Sequence, residues 1–101
     1  MNNAIDQTYY GSDSDWKAAK AFRFHVAICK EDDGTYSAIA LNLPGVGSCG
    51  DDPEVAMENF KEAAYGAVEA YLEAEDEIPW TESSADDIPP GATHKWIIVD
   101  V

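Results

Sequence analysis

Phe22, Phe24, Val26 and Ile28 alternate with Arg23, His25, Ala27 and Cys29. A period of two sustained over eight residues predicts a strand with one buried face. Asp32-Asp33-Gly34 follows as a hairpin turn, with glycine free to take positive φ. Residues 36–41 read as a second strand pairing back on the first. Leu43-Pro44-Gly45-Val46 fits a type II turn, with proline second and glycine third. Residues 46–49 form a short third strand, where Gly45, Gly47 and Gly50 point to a bulge or a close backbone approach.

The period then changes to that of a helix. Ala56, Phe60, Ala63, Ala67 and Tyr71, joined by Ala64 and Leu72, make one apolar stripe. Glu54, Glu58, Lys61, Glu62, Glu69 and Glu73 lie mostly off it. Asp51 and Asp52 supply a cap, Pro53 suits the first turn, and Glu54 favours the positive end of the dipole. Asp51 and Glu54 have capping-box spacing, with Asp replacing the usual Ser or Thr. The helix should end near Glu75, with Pro79 beyond it as a stop. Residues 79–94, with Ile88-Pro89-Pro90-Gly91, are too polar and proline-rich for a central strand and read as a connector. Residues 96–101 are strongly β-forming and apolar on both faces, which places them inside the sheet or against a second copy of the chain.

The predicted fold is α+β, in the order β-β-β-α-β: a small, mostly antiparallel sheet covered on one face by a single long helix. The uncovered face is left partly apolar and is the expected homodimer surface. Residues 22–101 form this domain. Residues 1–21 read as an appended arm, flexible or a short helix, with Ser14 as a cap and Trp16 available to dock it.

Composition narrows the function. The chain has 101 residues, one domain's worth, and 46% are apolar, enough for a single core. No apolar run approaches the ~20 residues of a membrane helix. Residues 1–11 lack the apolar stretch of a signal peptide, so the expected compartment is the cytoplasm and no membrane contact is expected. Cys29 and Cys49 stand twenty apart, with His25 and His94 the only histidines. That set lacks the paired spacings of a zinc site with about four ligands. The thiols are read as reduced and buried or half-buried, and no cofactor is expected.

Twenty acidic against six basic residues leave a net charge of −14. Such a field repels phosphate backbones, so direct nucleic-acid binding is disfavoured. It attracts a basic partner and speeds the encounter, or simply keeps the chain soluble.

Several segments carry a resemblance in their order and spacing. They are Glu31-Asp32-Asp33-Gly34-Thr35-Tyr36-Ser37-Ala38, then Leu41-Asn42-Leu43-Pro44-Gly45-Val46, then Ser48-Cys49-Gly50-Asp51. The helix start from Glu54 to Ala63 follows, and Ile88-Pro89-Pro90-Gly91 precedes the closing run from Trp96 to Val101. Together they resemble the N-terminal domain of the HicB-like antitoxin family over about residues 22–101, with Leu43, Pro44 and Gly45 as the family turn motif. The resemblance implies a partial ribonuclease-H-like fold and an antitoxin role without enzymatic activity. It also implies a partner: a small basic RNA-cleaving toxin of the HicA type, masked in the complex. Many members carry a DNA-binding module after this domain. The chain stops at Val101 without one, so operator binding is not carried over. The alternative is an orphan acidic interaction module with no toxin partner.

Three places are candidate partner contacts. The acidic helix face, Glu54, Glu58, Glu62, Glu69 and Glu73, is a partner surface or a merely solvated face, with Glu54, Glu58 and Glu62 the expected contacts. Glu31, Asp32 and Asp33 form a hairpin tip that turn chemistry alone would also explain. Trp80 is of a hot-spot residue type, or it packs over the helix end. A third function class, a metal-dependent nuclease, would need carboxylates converging on paired ions, drawn from Asp32, Asp33, Asp51, Asp52 and Asp100. The first four sit where turns and caps favour Asp in any case. His25 and His94 show no partner within reach in sequence and are read as structural.

Overall fold

Strand β1 (Ala21–Lys30) is the spine of the sheet. It pairs antiparallel with β2 (Tyr36–Ala40) on one side and with β4 (Thr93–Asp100) on the other. Strand β3 (Gly47–Gly50) adds to the far side of β2, so the order across the sheet is β3-β2-β1-β4. This computed structural model describes residues 21–100; the predicted arm with Ser14 and Trp16, and the terminal Val101, lie outside the described residues. The one helix, α1 (Pro53–Ala74), follows β3 and completes the expected β-β-β-α-β order.

The alternation in β1 works as predicted on the helix side, but the strand is not half-buried, because His25 and Ala27 on the other face are buried as well. Phe24 and Val26 are fully buried and join Ala38, Leu43, Val46, Ala56, Met57, Phe60, Ala64, Val68 and Val99 in one core cluster. The Phe24 and Phe60 rings meet edge to face, with centroids 5.7 Å apart. At the hairpin after β2, Gly45 takes φ 88°, and the Ala40 N–H donates to the Val46 carbonyl at 2.9 Å. The Leu-Pro-Gly turn therefore drops Leu43 into the core, with Pro44 outside.

Gly50 is where strand meets helix. A Cβ there would lie 2.6 Å from the Ala56 nitrogen and 2.7 Å from the Val55 Cγ1. Only glycine lets the end of β3 rest directly on the first turn of α1. The helix begins one residue later than the expected capping box requires. Asp52, not Asp51, holds the extended backbone of a cap (φ −142°, ψ 169°), and its Oδ1 accepts from the Val55 N–H at 2.9 Å. Asp51 and Glu54 thus miss the reciprocal positions. A capping box does form elsewhere, between Ser84 and Asp87 around the 3-10 turn Ala85–Asp87.

The buried face of α1 is also turned from the expected stripe. Ala56, Met57, Phe60, Ala64 and Val68 are buried, while Leu72 is 45% exposed. The helix lies chiefly against β3 and β2 rather than across the whole sheet, which selects the Ala56-Phe60-Ala64-Val68 row. Two alanines in that row allow close approach.

Glu75 closes the helix in the left-handed region (φ 58°, ψ 31°), and the Asp76 N–H reaches back to the Tyr71 carbonyl at 3.0 Å. A side-chain-bearing residue there costs about 1 kcal/mol relative to glycine. A carboxylate also sits badly at the negative end of the helix. Glu75→Gly should therefore raise the melting temperature by roughly 4–8 °C, read by thermal unfolding in circular dichroism.

The last strand departs most from expectation. β4 is not inside the sheet but at its edge, because β1 takes its two partners from β2 and the returning chain. It starts at Thr93, so His94 belongs to the strand and not to the connector. Its Trp96 and Ile98 are 50% and 64% exposed.

Candidate functional site

Because α1 covers mainly β3 and β2, the helix side of β1 and β4 is left as open troughs. One, about 450 Å³, runs between Ile28 and Lys95 of the sheet and Pro53, Glu54, Met57, Glu58 and Lys61 of the helix. The next, about 380 Å³, is lined by Glu58, Lys61, Glu62 and Tyr65 of the helix and by Ile98, Val99 and Asp100 of β4. Three expected contact residues, Glu54, Glu58 and Glu62, therefore share one exposed wall, spaced four apart on the helix. The Lys61 ammonium lies 3.6 Å from Glu58, an exposed pair that offsets little of the wall's charge.

The hairpin tip is braced by its own acids. Asp33 Oδ1 accepts from the Thr35 hydroxyl at 2.6 Å and from the Thr35 N–H at 3.0 Å. Those bonds, the hydroxyl's first, hold the Asp33 carboxyl below its usual range. The Ser37 hydroxyl donates to Glu31 at 2.7 Å. Since Tyr36 pairs with Gly50, this tip with Asp32 stands at the same end of the domain as the start of α1. Trp80 lies at the other end. It stacks on Phe22 (6.2 Å) and meets Phe24 edge-on (5.2 Å), leaving 38% of it exposed. The structure thus sets Glu31, Asp32, Asp33 and Glu54 toward one end, runs Glu58 and Glu62 along the helix beside β4, and places the tryptophan apart.

The five aspartates weighed for metal chemistry do not converge. Asp100 pairs with Ala21, at the end of the sheet away from Asp32, Asp33, Asp51 and Asp52. Among the described residues, no group of three or more His, Cys, Asp or Glu is placed to hold a metal ion. Both thiols are free. Cys29 is half-buried, but Cys49 is exposed, contrary to expectation, because β3 is an edge strand and the register puts Cys49 on the face away from α1.

A polar cluster on that second face escaped the sequence reading. Asn42 extends the β1 edge beyond β2: its Oδ1 accepts from the His25 N–H at 3.0 Å and its Nδ2 donates to the Arg23 carbonyl at 3.1 Å. The Thr81 N–H donates to the Asn42 carbonyl at 2.9 Å and so leads the connector round that edge. Beyond it, Ser83 Oγ lies 2.6 Å from His25 Nδ1, and His25 Nε2 lies 2.9 Å from His94 Nδ1. The His25 ring stacks on Trp96 (centroids 4.6 Å apart), and the Arg23 guanidinium sits 4.9 Å from the Trp96 centroid. Serine and histidine are within nucleophile–base distance. Yet the second nitrogen of His25 meets another imidazole, which cannot stabilise an imidazolium as a carboxylate would. The cluster works as a clamp that fastens the connector to the sheet.

Burial holds the His25 pKa below its ordinary 6.5, His94 pushes the same way, and Asp87 opposes them. The folded chain then takes up this proton less readily than the unfolded chain. Stability is full above about 6.5 and falls as pH drops below it. His25→Gln should flatten that part of the profile, read by urea unfolding at a series of pH values.

Comparison with known proteins follows the same outline. The sequence model described as "HicB_like antitoxin of bacterial toxin-antitoxin system" matches residues 24–101. The N-terminal domain of the Burkholderia pseudomallei antitoxin HicB is 30% identical, with a TM-score of 0.60; the match covers 79% of this chain and 98% of that one. The longer Burkholderia pseudomallei HicB structure matches with the same identity and TM-score, and the matched part spans 63% of its length. Comparison with the curated proteins gives no significant match. No helix among the described residues is long and apolar enough to cross a membrane. With its sheet order, its single helix and a family match over 24–101, the chain belongs to the HicB-like antitoxin family.

Proposed function

We propose that this chain is an antitoxin that neutralises a small, basic, RNA-cleaving toxin of the HicA type by covering its active surface. The observation that carries the reading is the family match across residues 24–101. The geometry agrees in sign. An exposed wall of Glu54, Glu58 and Glu62 beside an open trough offers carboxylates where a basic RNA-binding protein would otherwise meet phosphates. Glu31, Asp32 and Asp33 extend the acidic end, and Trp80 is a separate, second contact. In this reading the chain acts in the cytoplasm as a homodimer, performs no catalysis and leaves nucleic acid to its partner.

The test is a pull-down from the native cytoplasm at low and high salt, followed by an RNA-cleavage assay. Retention at low salt of a small basic protein whose cleavage stops when this chain is added supports the reading. Failure to retain or inhibit any such protein overturns it in favour of a free-standing acidic interaction module. Divalent-ion-dependent RNA cleavage by the purified chain overturns it in favour of a nuclease.

A further inference from the structure

The two edges of the sheet are built differently. β3 is four residues long with glycine at both ends, a short edge of the kind that discourages strand addition. β4 is eight residues long, pairs with β1 in one unbroken register, and contains no proline. Among the described residues its outer edge has no strand partner. It also carries Trp96 and Ile98, the two most exposed large apolar side chains of the described residues. We infer that two copies of this chain join edge to edge through β4 into one eight-stranded sheet, antiparallel and centred on Ile97 of each copy. This deepens the homodimer reading, on which it rests, and does not depend on the toxin.

The register follows from symmetry. A two-fold axis perpendicular to the sheet keeps every residue on its own face, so residues facing one another are separated by an even number of positions. Centring on Trp96 puts Ile98 against the partner's His94. Centring on Ile98 puts Trp96 against the partner's Asp100. Centring on Ile97 sets Trp96 against the partner's Ile98 and His94 against the partner's Asp100. Only the last arrangement matches an aromatic to a β-branched residue and a basic to an acidic one, the cross-strand pairs that stabilise sheets.

Charge permits the same edge. Two chains of −14 repel, but the only formally charged residues of β4 are Lys95 and Asp100. The helix lies chiefly over β3 and β2, with Glu58 and Glu62 lining the trough beside β4 on the sheet face opposite Trp96 and Ile98. In the joined sheet the two β2 strands would be five inter-strand steps apart, about 24 Å, so the hairpin-tip acids of the two copies stand well beyond the ~8 Å over which exposed charges act at physiological salt.

Light scattering and cysteine cross-linking test the inference. The parent chain should have twice its single-chain mass of 11.0 kDa. A Trp96→Glu/Ile98→Glu chain should fall to the single-chain mass with an unchanged far-ultraviolet spectrum. In a Cys29→Ser/Cys49→Ser background, mixing a His94→Cys chain with an Asp100→Cys chain under oxidation should give a disulfide-linked pair holding one of each. Neither chain alone should cross-link. A parent that is monomeric at every concentration overturns the interface and the homodimer reading together. A dimer that survives the double glutamate substitution overturns the β4 interface while the homodimer stands. A dimer lacking the mixed cross-link overturns the register. If the double glutamate chain loses its native spectrum, the cross-links decide alone.

Discussion

Truncating Phe60 to alanine should leave a large part of the chain unfolded under conditions where the parent is native. Phe60 is fully buried at the centre of the helix–sheet contact, and its ring meets the edge of Phe24 at 5.7 Å. Removing a buried phenylalanine costs ~3–5 kcal/mol, from lost transfer energy and from the cavity left behind. A domain of roughly 80 residues holds only about 4–12 kcal/mol in total. The neighbours limit relaxation: Ala56 and Ala64, one turn away on either side, are too small to fill the gap. Urea unfolding checks the effect as a lower midpoint with little change in slope. A loss under 1 kcal/mol would mean that the helix face can rotate to refill the site.

The second large effect concerns partner capture. Reversing Glu54, Glu58 and Glu62 to lysine adds two charges at each position, so the net charge goes from −14 to −8. If the wall beside the trough receives a basic toxin, association at low salt should slow by ~10–100-fold, and far less at high salt. A control separates local from overall charge. Glu73, Glu77 and Glu82 are equally exposed but lie at or beyond the far end of α1, and their reversal gives the same net charge. That chain should lose much less. Stopped-flow association with the captured toxin reads both. Equal losses in the two chains would show that net charge steers the encounter and that the helix wall is no docking surface.

Part of this site is legible without the fold. Glu54, Glu58 and Glu62 recur every fourth residue, so helical geometry alone puts them on one wall. What that wall borders is not legible, because it depends on the lateral position of α1 over β3 and β2. The braced hairpin tip illustrates the converse. Asp33 and Thr35 are two residues apart and the turn could be read, but whether its carboxylates are free or engaged appears only in the bonds to Thr35 and Ser37.

By itself the sequence determined the kind and order of the elements, because alternation, helical period, Pro-Gly turns and caps act over a few residues. It also determined the family, through short segments whose spacing survives at 30% identity. The tertiary structure alone decided three things. It turned the helix so that Met57 and Val68 are buried while Leu72 stays out. It set β4 at the edge, where its apolar outer face lies open. And it brought Ser83 and His94 onto His25 from 58 and 69 residues away. Each outcome depends on where the chain returns after α1, and no local periodicity encodes that path.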